Sequence, residues 1–330
     1  MIIDEQSADT LCVPPEVELR HWKLKRPLHT TSKSTLFLAE NQHGEKATIT
    51  FLDRERLIGR YTMLLLADGR THDEAEREAA LWAEKQQRLF QERFDRIKGL
   101  HHSNVAECFE IGTDPQRQKI AVVSEYVPGT DLFMATRGLT PLQHLPLFVM
   151  VLQGLEYIHS NGLLHLNIKP KRIRADIESE PPIVKFTDFG FALPREGHEG
   201  DYTGTALYMA PEVVMNERAR IDERADLYSL AATMYYCISR HQLFHHRSRA
   251  DRDRHKLQNL VRREGPVPPA SHYCKDIPAE LDQLLLELLE PNPDDRKYRS
   301  AGAVLEFIIE TWPKESEQMN FEVSTLFSKE

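Results

Sequence analysis

Two short runs alternate apolar and polar residues, Leu36-Phe37-Leu38-Ala39 and Ala47-Thr48-Ile49-Thr50-Phe51-Leu52, with a His43-Gly44 turn between them. They predict a pair of adjacent strands. The pattern then changes period. Thr71-His72-Asp73-Glu74 has the form of a capping box, and Ala75, Ala79, Trp82, Leu89, Phe90, Phe94 and Ile97 follow a helical stripe closed by Gly99. A helix over about 72–98 would be roughly 40 Å long at 1.5 Å per residue. Ile120 to Val127 reads as another strand, and Leu142 to Gly162 as a long apolar helix. Leu281 to Leu289 and Ala301 to Trp312 carry amphipathic helical stripes. The ends differ from the rest: residues 1–24 are polar and broken by Pro14-Pro15, and residues 313–330 are polar around Phe321, Leu326 and Phe327.

Composition narrows the class. With 330 residues, 41% hydrophobic and 28% charged, the chain fits one ordinary globular domain of two lobes with short extensions. A net charge of −9 argues against a nucleic-acid partner. The Arg- and His-rich run from Arg247 to Arg263 reads as a solvated helix or loop rather than an anion site. Cys12, Cys108, Cys237 and Cys274 are far apart, as in reduced thiols, with neither disulfide nor metal spacing. No apolar run approaches the roughly 20 residues that cross a bilayer, and the amino terminus lacks the pattern of a signal peptide. The expectation is a soluble, cytoplasmic chain without a membrane partner.

The chemistry-bearing stretch lies between Leu163 and Glu212. It reads His165-Leu166-Asn167-Ile168-Lys169-Pro170-Lys171-Arg172, then Thr187-Asp188-Phe189-Gly190, then Gly204-Thr205-Ala206-Leu207-Tyr208-Met209-Ala210-Pro211-Glu212. In order and spacing this resembles the catalytic loop, metal loop and activation segment of the serine/threonine protein kinases. The resemblance extends over about residues 25–312 and implies an α+β fold. A small β-rich lobe with a long helix C (25–127) would be followed by a larger, mainly helical lobe (128–312). It implies structural roles for His165, Phe189, Glu212, Asp226 and Arg296. Asp226 would anchor the catalytic loop, and Arg296 would pair with Glu212 inside the lobe. The connection at 54–70 is longer than the family's usual link to helix C.

Where the family carries its chemistry, the letters have changed. H-R-D-L-K-P-x-N supplies an Asp that accepts the hydroxyl proton and an Asn that holds a second Mg²⁺. Here those positions hold Asn167 and Arg172, while Lys169 and Asp188 are retained. His29, Thr31 and Ser34 fall at the three glycines of the phosphate loop, with Lys33 among them. Thr50 falls at the strand-three lysine and Arg93 at its glutamate partner. Thr48, Ser124 as gatekeeper, Glu125, Val127 and Asp131 line what the resemblance makes a vestigial nucleotide cleft. Arg174 takes the central apolar position of the adenine floor. Leu166 replaces the arginine that docks a phosphorylated activation segment, where Tyr202, Thr203 and Thr205 carry the hydroxyls.

The resemblance with these losses implies a pseudokinase, a non-enzyme in which ATP and Mg²⁺ binding are weak or absent and no metal is held. Such a chain would act as a scaffold or allosteric regulator through protein–protein interaction, its partner an active kinase or another enzyme. Two alternatives stand beside it. One is an atypical or very weak kinase with a relocated lysine, Lys33, similar to the with-no-lysine kinases. The other is a nucleotide or anion sensor without turnover. In the cleft, strand alternation puts Arg172 and Arg174 on one face, and one of the two, Arg172 ahead of Arg174, is expected to bond Asp188 and fill the vacated cation position.

Overall fold

The computed structural model describes residues 19, 21–30, 34–114, 119–187, 192–195, 207–243 and 267–317. They form two compact units. The first comprises residues up to Leu100 together with Glu107–Tyr126, the second His101–Ala106 and everything from Val127 on.

The first unit is built on an antiparallel sheet in the order β1-β2-β3-β5-β4. Its strands are β1 (Trp22–Thr30), β2 (Ser34–Asn41), β3 (Lys46–Leu52), β4 (Cys108–Asp114) and β5 (Lys119–Glu125). Alternation sets its core. Phe37 and Ala39, then Ala47, Ile49 and Phe51, then Ala121 and Val123 point to one face, where Leu19 and Leu24 join them. Trp22 packs against the edge of that cluster.

The long connection is a helix. α1 (Arg54–Ala67) begins where the Asp53 carboxylate accepts from the Arg56 backbone N–H at 3.2 Å. α2 (His72–Ile97) begins at the expected box, with Thr71 donating to Glu74 through both its N–H (3.2 Å) and its hydroxyl (2.8 Å). Small buried residues, Ala75, Ala79 and Ala83, line the first half of α2 and let α1 approach closely. Tyr61 stacks on Trp82 at 4.6 Å. Leu57 and Ala83 meet Leu52 and Ile120 in a second small core, which ties this helical pair to the end of the sheet.

The second unit is mainly helical. β6 (Thr130–Asp131) leads into α3 (Leu132–Ala135), and the apolar α4 (Leu145–Ser160) runs to β7 (Leu163–Leu164). β8 (Ile173–Asp176), β9 (Ile183–Phe186) and β10 (Leu193–Pro194) follow, forming sheets in the orders β6-β8-β9 and β10-β7. Then come α5 (Pro211–Val214), α6 (Glu223–Ser239), α7 (Ala279–Leu288), α8 (Ala301–Thr311) and α9 (Pro313–Glu317). α4 and α6 are buried nearly all round and form the centre. α7 and α8 bury one face each, Leu281/Leu284/Leu285/Leu288 with Asp282, and Ala301/Val304/Leu305/Ile308.

One glycine is required by contact. Gly129 has φ +79, and a Cβ there would run into the backbone carbonyl of Ala175 on β8. Gly129→Ala therefore combines left-handed strain with displacement of β8. It should cost at least about 2 kcal/mol, read as a lower denaturant midpoint.

Candidate catalytic loop

The loop after β7 is organised from beneath by one carboxylate. Asp226, in the first turn of α6, is fully buried and accepts from the backbone N–H of His165 and of Leu166, each at 2.7 Å. It also accepts from Nε2 of His159 at 3.0 Å, at the end of α4. Burial alone would raise its pKa. The His159 hydrogen bond, the neighbouring histidines and the His165 N–H outweigh burial and hold the carboxyl below its ordinary range. This clamp keeps Leu166 at φ 54, a left-handed conformation that a leucine does not adopt without support.

His165 is buried completely and tilts against the ring of Phe186 at 5.2 Å. Burial pushes its pKa down to about 4 against the pull of Asp226, so the imidazole is neutral at pH 7. Its Nδ1 accepts the backbone N–H of Asn167 at 3.2 Å. Asn167 is itself buried, 5% exposed, at the position where the family has its proton acceptor.

Downstream, the chain turns tightly. Pro170–Arg172 is a single 3₁₀ turn, closed by the Arg172 N–H donating to the Lys169 carbonyl at 2.9 Å. Burial, then the charges of Arg172 and Lys171, push the Lys169 pKa down to about 8. Burial pushes Arg172 down to about 10. The Arg172 carbonyl accepts from the Thr187 N–H (2.8 Å) and its hydroxyl (3.3 Å), which fastens the exit of β9 to this turn.

The turn revises one expectation from the sequence. β8 starts at Ile173, so strand alternation does not reach Arg172 and does not set it on one face with Arg174. Arg174 lies opposite Asp131 and Lys185, and its guanidinium donates to the Gly129 carbonyl. Asp131 caps α3, accepting the Met134 N–H at 3.1 Å. Asp188 and Phe189 lie outside the described residues, and with them the expected Arg172–Asp188 bond; so do Thr31, Lys33, Tyr202, Thr203, Thr205 and the Arg247–Arg263 run.

In the first unit Thr50 faces Leu36 and Val122 across the sheet, and Lys46 sits four residues back on the same strand, near the Tyr126 ring at 5.9 Å. The Thr48 hydroxyl donates to the carbonyls of Ser124 and Glu125, each at 3.3 Å. The Glu125 carboxylate accepts the Glu107 N–H at 3.1 Å. His29 pairs with Leu36 and Ser34 with Leu52 at the β1–β2 end, while Val127 is buried at the start of the second unit. Arg93 on α2 is half-buried, its pKa lowered first by burial and then by Arg96.

Further along the second unit Arg296 meets Glu212 as a fork, Nη1 to Oε1 at 2.7 Å and Nη2 to Oε2 at 2.8 Å, with both side chains fully buried. Two buried histidines were not singled out in the sequence. His159 completes the Asp226 clamp, and His144 bridges the carbonyls of Thr140 (2.8 Å) and Cys237 (3.2 Å). The available signal was a lone histidine on an otherwise apolar helix.

The donor set does not suit the second divalent metal of the family. An ion there would meet the guanidinium of Arg172 instead of an amide oxygen, with two lysines on the same turn.

The family model described as protein kinase domain matches residues 75–305, more than half of the chain, and the protein belongs to that family. It is similar to the serine/threonine-protein kinase cds1 of Schizosaccharomyces pombe, 30% identical over 63% of this chain and 45% of that protein. It is also similar to PknB of Mycolicibacterium smegmatis (30%, over 64% and 34%) and to ULK1 of Homo sapiens (28%, over 74% and 24%), both named serine/threonine-protein kinases. The chain spans less than half the length of each of these relatives.

These findings correct the expectation of a non-enzyme. A kinase-domain match together with several serine/threonine kinases at about 30% identity points to an enzyme. The physical reason lies in the reaction. Phosphoryl transfer passes through a loose transition state and is driven mostly by positioning and electrostatics, so losing a base changes a rate more than a reaction class. No helix among the described residues is long and apolar enough to cross a membrane.

Proposed function

We propose that the chain is an atypical serine/threonine protein kinase, a slow phosphotransferase from a nucleoside triphosphate to a protein hydroxyl. The observation that carries this reading is the buried Asp226 clamp, which holds the backbone at His165 and Leu166 although the base itself has changed. In this reading Lys169 is the cation directed at the transferred phosphoryl group, and Asn167 orients the accepting hydroxyl through its amide oxygen. Asn167 takes no proton, so the proton leaves late, to the phosphoryl oxygens or to water. The partner is the protein that bears the hydroxyl.

General-base catalysis contributes about 10²–10⁴ in rate. Removing it from a usual kinase turnover of about 1–100 s⁻¹ leaves about 10⁻⁴ to 1 s⁻¹.

Transfer of labelled γ-phosphate to a mixture of protein substrates, followed by phosphoamino-acid analysis, tests the proposal. The wild type should label serine or threonine slowly, and Lys169→Met should abolish the signal. The pH profile carries the sign of the Lys169 shift. Below about 8 Lys169 is charged, and above it the proton is lost, so the rate should fall with rising pH. Lys169→Arg, which stays charged, should move that fall upward. Wild-type labelling no greater than that of Lys169→Met refutes the proposal.

A further inference from the structure

Among the described residues three that are not glycine have positive φ: Leu166, Asn216 and Arg240. Asparagine tolerates that region, and Leu166 is held there by the Asp226 clamp. Arg240 has another reason. It follows the last residue of α6 with φ 60 and ψ 12, where helices commonly place glycine because a β-carbon is strained. Strain of this kind persists only where surrounding contacts over-determine it, and it gathers at functional positions.

The contacts that hold Arg240 are on α3. Its guanidinium donates to the carbonyls of Phe133 (2.6 Å) and Thr136. It also lies 4.6 Å from the centre of the Phe133 ring, which stacks on Tyr236 at 4.2 Å. α3 has only four residues, too few to persist on its own hydrogen bonds, and the last carbonyls of any helix lack intrahelical partners. Asp131 caps its start, and Arg240 caps its end from a different helix. A planar fork can serve two carbonyls at once where a single ammonium cannot do so in fixed geometry. α3 in turn lies against β8 and against the Pro170–Arg172 turn that closes the candidate catalytic loop. α6 thus reaches that loop from both its ends. Asp226 in its first turn holds His165 and Leu166 directly, and Arg240 past its last turn holds α3, which backs the exit of the loop. Asn167 and Lys169 lie between the two holds in sequence.

We propose that Arg240 is a positioning residue for phosphoryl transfer, which acts through α3 to hold the Pro170–Arg172 turn and so the setting of Lys169 beside it. The role deepens the phosphotransferase reading and rests on it for the reaction, while the hold on the turn stands apart from it.

Two measurements on the full chain test it, with Arg240 replaced by glycine, alanine and lysine. Arg240→Gly releases the strain together with the clamp, whereas Arg240→Ala loses the clamp and keeps the strain. The glycine variant should therefore melt higher than the alanine variant. Amide hydrogen exchange reads the turn. The Arg172 N–H, bonded to the Lys169 carbonyl, should exchange about tenfold faster in both variants, although it lies far from position 240 in sequence. In labelled-phosphate transfer kcat should fall about tenfold in both, with KM for nucleotide and acceptor unchanged, as for an effect felt only in the transition state. Arg240→Lys, with an ammonium in place of the fork, should recover part of each loss. Unchanged exchange at Arg172 in both variants overturns the proposal. So does a kcat loss that follows melting temperature, large in Arg240→Ala and absent in Arg240→Gly, which is the mark of a merely structural residue. The two readings fail separately. A wild type without transfer removes the phosphotransferase and leaves exchange to decide the hold, whereas transfer and exchange both untouched by Arg240→Gly remove the hold and leave the phosphotransferase.

Discussion

Asn167→Asp should raise the rate of phosphoryl transfer by about 10²-fold, the lower end of what a general base contributes. The substitution is nearly isosteric and leaves the Asn167 N–H bond to His165 Nδ1 in place, so the loop keeps its shape. A new carboxylate would sit two residues from Lys169 and five from Arg172, whose charges favour its ionised form. It could then take the hydroxyl proton. The upper end of the range is not expected, because Thr50 still leaves the sheet without its phosphate cation, and catalytic groups that act as a unit do not add. Single-turnover labelling at saturating nucleotide measures the effect on chemistry apart from product release. If the variant transfers phosphate no faster than the wild type, proton removal does not limit this enzyme.

The same comparison explains which parts of the molecule were legible in the sequence. Asp226, Glu212 and Arg296 are readable because their roles are tied to backbone and to one another. Each must keep its letter for the helical unit to close, whatever the chemistry. Arg172 was readable as a substitution but not as a geometry. The resemblance places a strand just after Arg172 and alternation extends back to it, whereas the Lys169–Arg172 hydrogen bond shows that a 3₁₀ turn holds this position. His159 was lost in the apolar background of α4, since a histidine on a buried helix has no pattern that announces a carboxylate below it. The connection at 54–70 carries a weakly amphipathic helix, α1. Its contact with α2 depends on the small residues Ala75, Ala79 and Ala83, which a hydrophobic stripe does not distinguish from ordinary core. The non-enzyme expectation came from counting lost letters. It gave too little weight to a reaction in which held backbone and placed charge do most of the work.

Removing the guanidinium of Arg296 should be the most destabilising single change in the helical unit. Arg296 is buried to 1% exposure, and besides its fork on Glu212 it donates to three backbone carbonyls. These belong to Arg224 (3.0 Å), Glu290 (2.8 Å) and Pro291 (3.3 Å). Its plane also lies over the Tyr228 ring at 5.1 Å. Arg296→Ala therefore strands a buried carboxylate, leaves three acceptors without this donor and opens a cavity. Breaking such a pair costs about 3–5 kcal/mol, and at about 2–4 °C per kcal/mol for a unit of this size the melting temperature should drop by roughly 10 °C. Glu212→Gln should cost less, because an amide oxygen still accepts from the fork and no carboxylate is left unpaired. The double variant Glu212→Leu/Arg296→Met tests the cause. Replacing both charges with apolar side chains removes the stranded ion, so it should recover part of the loss but not all, since the three carbonyls still lose this donor. Thermal unfolding of the three variants checks the ranking. A double variant as unstable as Arg296→Ala would place the cost in the lost carbonyl bonds and the cavity instead of the stranded charge.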